Sequence, residues 1–136
     1  MTNPKERGDA TEVAIMNYLI SNGHSVSVPF GDNDKYDLIL DDGNDLYRIQ
    51  CKTAWENKEN TIRFNTHSQT TRSGEYHEST YHGEVDVLIA HYPKGGEMYW
   101  IPIQEATEQK MELRFDGKID HPSINWASDY RIEDAL

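Results

Sequence analysis

The chain has one cysteine, Cys51, among 136 residues, which excludes an internal disulfide and a cysteine-rich zinc framework and suits a reducing compartment. Histidine offers no substitute. Three of the six lie in one polar stretch, His67, His77 and His82, at spacings that match no compact zinc motif. Positive charge is scarce too. Lys and Arg number 13 against 24 Asp and Glu, a net charge of −11, the reverse of what is usual for a protein that holds nucleic acid. No apolar run is long enough to span a membrane, and Met1 to Arg7 lacks the apolar stretch of a signal peptide. An intracellular, cytoplasmic protein without membrane association is expected. There is no internal repeat, no low-complexity linker, no Gly-rich phosphate loop and no ordered Ser/His arrangement of the nucleophilic-triad kind. At this length one domain, residues 1–136, is expected, large enough to bury a real core.

What the chain does have is a hairpin with chemistry on it. The runs Tyr36-Asp37-Leu38-Ile39-Leu40 and Leu46-Tyr47-Arg48-Ile49-Gln50 flank Asp41-Asp42-Gly43-Asn44-Asp45. Asp-Gly and Gly-Asn supply the positive φ angles that tight hairpin turns require. Folded about Gly43 and Asn44, the hairpin sets Gln50 opposite Asp37. Alternation along a strand puts Arg48, Gln50 and Lys52 on one face and Tyr47, Ile49 and Cys51 on the other. Core packing is therefore the expected role of the Cys51 side chain. A carboxylate, a carboxamide and an ammonium converge. Two of them suit a hard cation, and the third can orient a water or stabilise an oxyanion. The same residues would equally make the exposed polar face of an ordinary hairpin.

Upstream, Gly8 to Ile20 reads as a helix ending near Asn22-Gly23, where glycine suits a left-handed cap. Glu12 shares a stripe with Ile15, Met16 and Leu19, and a carboxylate on an apolar stripe needs a partner. Either it sits at the stripe's edge and reaches water, or it points over the sheet at Asp37 and Gln50 and completes a metal site. Ser25 to Val28 reads as a short edge strand, stopped by Pro29. Thr61 to Phe64 is a further strand, and Val85 to Ala90 one covered on both faces. Met98 to Ile103 returns as its partner after the turn Pro93-Lys94-Gly95-Gly96. Gln104 to Leu113 is expected to be a helix with Ala106, Met111 and Leu113 inward. Trp126 and Tyr130, four apart, are expected to pack on the core or on a second subunit. The expected fold is α/β, a mixed β-sheet of four to five strands with the Glu12 helix on one face and a second helix beside it.

Taken in order, these motifs resemble the PD-(D/E)XK nuclease superfamily, in which a helix bears Glu, a hairpin bears Asp, and an acidic or amide residue precedes Lys by two positions. Tyr36-Asp37 stands where the family has Pro-Asp, and Gln50-Cys51-Lys52 where it has (Asp/Glu)-x-Lys. Gln50 departs from the commoner pattern and removes one negative charge. The group I intron-associated branch, which includes homing endonucleases, has members with Gln there. The opening Arg7-Gly8-Asp9-x-x-Glu12, then Tyr36-Asp37-Leu38-Ile39, Ile49-Gln50-Cys51-Lys52-Thr53-Ala54, Val85 to Ile89 and Trp100 to Ile103, is similar to that branch. The resemblance covers roughly residues 5 to 106. It implies a restriction-endonuclease-like core flanked by helices and Mg²⁺-dependent hydrolysis of DNA phosphodiesters, with Mn²⁺ as a substitute. Glu12, Asp37, Gln50 and the backbone carbonyl of Cys51 would hold the metal, and Lys52 would serve the transition state. Archaeal Holliday-junction resolvases share the core and give the alternative of a branched substrate. A module that binds DNA without cutting it is the third reading. Cutting two strands needs two active sites, so a homodimer or homotetramer is expected.

Against that expectation the charge is uneven. Residues 1–47 carry net −6, residues 48–72 net +3, and residues 73–136 net −8. The one positive stretch begins on the catalytic strand, so Arg48, Lys58, Arg63, His67 and Arg72 are the expected DNA-binding residues, among Asn, Thr, Ser and Gln that can donate to phosphate. The same stretch would also serve as a solvated polar loop. An acidic surface with few Lys suggests a halophilic source, since in molar salt the Debye length falls to about 3 Å and long-range repulsion from DNA disappears.

Overall fold

The protein is described by a computed structural model covering residues 3–31, 34–72, 75–79, 81–117 and 120–136, with backbone alone for 68–72 and 75–79. Helix α1 spans Pro4–Ser21 and begins four residues before the expected Gly8. Asn3-Pro4-Lys5-Glu6 explains the difference. The Asn3 side chain accepts from the Glu6 N–H at 2.9 Å, the Glu6 carboxylate accepts from the Asn3 N–H at 3.3 Å, and Pro4 occupies the first turn, where no N–H is needed. The helix stops at Asn22, followed by Gly23 at φ 87°.

A five-stranded sheet follows, built from β1 (Ser25–Ser27), β2 (Leu38–Asp41), β3 (Leu46–Thr53), β8 (Val87–His91) and β9 (Met98–Pro102), in the spatial order β1-β2-β3-β8-β9. All neighbours are antiparallel except β3 and β8, which run parallel with Gln50 beside Leu88. In the β2–β3 hairpin Leu38 faces Ile49, a register that continues to Asp37 and Gln50. Gly43 alone takes the positive φ, at 94°. The carboxylate of Asp42 closes the turn by accepting from the N–H groups of Asn44 and Asp45.

The connection from β3 to β8 is itself made of strands: β4 (Trp55–Glu56), β5 (Thr61–Asn65), β6 (Ser68–Arg72) and β7 (Glu75–Ser79). Strand β10 (Lys110–Arg114) joins β5 and β4 in a second, antiparallel sheet, and β6 pairs with β7. The helix expected over 104–113 is therefore not formed. One 3-10 turn at Ile103–Glu105 precedes β10, in which Met111 and Leu113 are buried between less buried Lys110, Glu112 and Arg114. Period-two burial of this kind satisfies a strand, and β5 offers a five-residue ladder for it. Among the described residues no long second helix lies beside α1, and α2 is only Ile132–Ala135.

The central sheet is covered on both faces. Ile15 and Leu19 of α1 pack with Leu38, Leu40, Ile49, Cys51, Val87 and Ile89. On the opposite face Leu88, Ala90 and Ile101 pack with Ile62, Phe64, Met111 and Leu113 of the second sheet. Successive residues of β8 thus feed two different cores, which is why the run reads as almost wholly apolar. Among the described residues no helix is long and apolar enough to cross a membrane.

Candidate active site

The bend at Asp37 that leads into β2, the second half of β3 and the first half of α1 come together on the sheet. The Asp37 N–H donates to the Ile49 carbonyl at 2.7 Å, and the Asp37 carboxylate accepts from the Cys51 N–H at 2.8 Å. Asp37 is thereby held against the middle of β3 by its own side chain. Glu12 reaches the same place from α1, close enough to the Asp37 carboxyl for the two to interact. The buried stripe of α1 is Thr11, Ile15 and Leu19, and Glu12 lies half-buried on its flank. Thr11 anchors that placement: its hydroxyl is 2.6 Å from the hydroxyl of Thr53, on the residue after Lys52.

Electrostatics follow from the crowding. Burial first, then the hydrogen bond and charge of Asp37, push the Glu12 carboxyl up from 4.5 to about 7. Lys52 is half-buried on the face of β3 opposite Cys51. Burial pulls its ammonium down to about 8, while the Asp37 charge opposes that shift. The ammonium donates to the Tyr81 hydroxyl at 2.7 Å and to the His67 carbonyl at 3.4 Å. The Cys51 thiol is pushed far up, chiefly by burial and then by Asp37 and Glu12, so it stays neutral and packs.

Gln50 is half-buried in register with Asp37, and among the described residues its carboxamide makes no hydrogen bond. No group of three or more His, Cys, Asp or Glu among the described residues is arranged to hold a metal. The donors here are two carboxylates, an amide and main-chain carbonyls. Such hard oxygen donors fit Mg²⁺ or Mn²⁺, which also keep waters, and they do not suit a soft ion.

The residues expected to meet DNA are dispersed. Arg48 spends its guanidinium on Asp86, with contacts of 3.0 and 3.2 Å, and on the Gly83 carbonyl at 3.0 Å. Asp86 is consequently held below the usual carboxylate range. His67 is buried, with Nδ1 2.8 Å from the Gln109 carbonyl. Arg63 lies 3.6 Å from Glu112 and keeps part of its surface open. Lys58 is exposed. The side chains of Arg72 and His77 lie outside the described residues.

Several neighbours of the site were not legible in the sequence. Tyr81 sits in a polar stretch with no periodicity to mark it. Thr11 and Thr53 carry no signal apart from each other. Trp55 and Asn65 join Arg7, Gly8 and Lys52 around a cleft of about 460 Å³, which only the bend after β3 creates.

The fold has a counterpart among solved structures. A bacterial homing endonuclease, I-Ssp6803I, superposes with a TM-score of 0.78 over 98% of this chain and 92% of that one, at 20% identity. No curated protein matches by sequence. The family model described as PD-(D/E)XK endonuclease matches residues 2–133, so nearly the whole chain is accounted for by one family. With its Glu12 helix, Asp37 hairpin and Lys52 strand carried on that fold, the chain belongs to the PD-(D/E)XK endonuclease family.

Proposed function

We propose that the protein is a divalent-metal-dependent DNA endonuclease of homing type that cuts duplex DNA as a dimer or tetramer. The observation that carries this reading is the Asp37 carboxylate held on the Cys51 N–H, with Glu12 near it and the half-buried Lys52 next along β3. Two carboxyls forced together raise each other's affinity for positive charge, and a proton on Glu12 is the makeshift solution. Glu12, Asp37, the Gln50 carboxamide and the Cys51 carbonyl would hold Mg²⁺ or Mn²⁺. Such an ion supplies Lewis-acid polarisation of a phosphoryl oxygen and a water of lowered pKa.

The chain's own groups do the positioning. The Cys51 N–H fixes the Asp37 carboxylate, so it needs no reorganisation when a cation or phosphate arrives. Tyr81 and the His67 carbonyl hold the Lys52 ammonium, leaving it to offset the charge that builds on phosphorus-bound oxygen as water adds and one ester P–O bond breaks. Lys58, Arg63 and Arg72 are proposed to touch DNA phosphates. Arg48, already committed to Asp86, is proposed to hold the hairpin instead.

Purified protein incubated with linear, supercoiled and four-way-junction DNA, with Mg²⁺ in low and high salt, tests the reading. Cleavage of duplex DNA that is lost in Asp37→Asn and in Lys52→Ala is the expected result. Cleavage confined to the junction would favour a resolvase. Binding without cleavage of any substrate would leave a DNA-binding module.

A further inference from the structure

We propose that the cleft between the first turns of α1 and the end of β3 is a nucleotide subsite. It receives the DNA strand beside the scissile phosphate, with a backbone phosphate on Arg7 and a base against Trp55. The nuclease reading supplies the identity of that strand; the cleft's chemistry stands apart from it.

Helix periodicity places Arg7. Residues 7, 11 and 15 share one stripe; Ile15 is buried in the core and Thr11 touches Thr53. One turn earlier, Arg7 extends past the end of β3, over the bend that leads to Trp55. Lys52, Trp55 and Asn65 complete the walls of this cleft, which holds about 460 Å³. Arg7 is exposed and makes no ion pair among the described residues. Its neighbour Glu6 is turned back to the Asn3 cap, so it does not neutralise Arg7 directly. Trp55 is 39% exposed, far more than an indole needs for packing alone. A cation selects an anion, an open aromatic face selects a planar partner, and the Asn65 amide adds a donor and an acceptor. A nucleotide offers all three counterparts.

Gly8 supplies an independent argument. A glycine inside a helix lowers its stability relative to alanine, so it calls for a reason. Neither packing nor backbone gives one: a Cβ at Gly8 would meet no atom within 4 Å, and its φ is not in the left-handed region. Gly8 does line the cleft. The missing methyl leaves room for something outside the chain.

The test uses full-length protein, a fluorescein-labelled duplex of random sequence as probe, and EDTA to prevent cleavage. Trp55→Ala should weaken binding about tenfold, the loss of one stacked base. Arg7→Ala should flatten the slope of log affinity against log salt by about one unit. Gly8→Ala should raise the melting temperature by a few degrees and yet weaken binding, a combination that a structural role cannot produce. Wild-type affinity in Gly8→Ala and Trp55→Ala, with cleavage by the parent protein intact, would overturn the subsite alone. A parent protein whose binding depends on these residues but which cuts nothing with Mg²⁺ or Mn²⁺ would sink the nuclease reading and leave the subsite standing. No binding of the probe by the parent protein would overturn both.

Discussion

Glu12 carries the most informative charge in the chain. Its pKa rises from 4.5 to about 7 on folding, so between those values the folded protein keeps a proton that the unfolded chain has released. The folded state then binds more protons, and stability falls as pH rises through that window. In EDTA, the melting temperature of the parent protein should drop relative to Glu12→Gln from about pH 5 to pH 7.5 and then run parallel to it. Parallel curves throughout would show that Glu12 ionises as it does in the unfolded chain. Gln50 is the matching test on the strand. Gln50→Glu adds a second negative charge in register with Asp37 and should tighten Mg²⁺ binding in titration calorimetry; unchanged affinity would remove Gln50 from the ligand set. Arg48→Ala should cost stability through its pair with Asp86 while leaving the salt dependence of DNA binding unchanged.

At the scale of elements, a polar contact between α1 and β3 is the Thr11–Thr53 hydroxyl pair. Thr11→Val strands the Thr53 hydroxyl and should cost about 1–3 kcal/mol, read as a fall of several degrees in melting temperature. The double Thr11→Val/Thr53→Val variant should recover much of it, because two apolar groups leave nothing unpaired. A double variant as weak as the sum of the singles would mean that the hydroxyls do not act together. The hairpin carrying Asp37 and Gln50 was legible because a turn and period-two alternation are local signals. The β5–β10 pairing was not. Lys110 to Arg114 is compatible with either a helix end or a strand, and the choice falls to Thr61–Asn65, some fifty residues away. Lys52 was found from its spacing to Gln50, but the Tyr81 hydroxyl that holds it lies 29 positions downstream in a segment without pattern. Arg48 looked available to DNA for the same reason: its partner Asp86 is 38 positions away.

For the molecule as a whole, the net charge of −11 makes DNA affinity a contest between general repulsion and a few local cations. Raising salt screens the repulsion but also weakens each phosphate contact, so the net slope should be shallow for a DNA-binding enzyme. Sedimentation should give a mass of two or four chains if both strands are cut in one encounter; a monomer that only nicks supercoiled DNA would contradict the proposed assembly. The C-terminal segment restricts how copies can meet. The Trp100 N–H donates to the Tyr130 carbonyl at 2.7 Å, and Tyr99 bridges Arg131, so the outer edge of β9 already has a neighbour. The other edge, β1, is three residues long and ends just before Val28-Pro29. The β9 border is therefore occupied, and the β1 border offers only a short ribbon for templating. Fusion of central sheets end to end into a fibril is thereby disfavoured, since one border is taken and the other gives only three residues to pair with.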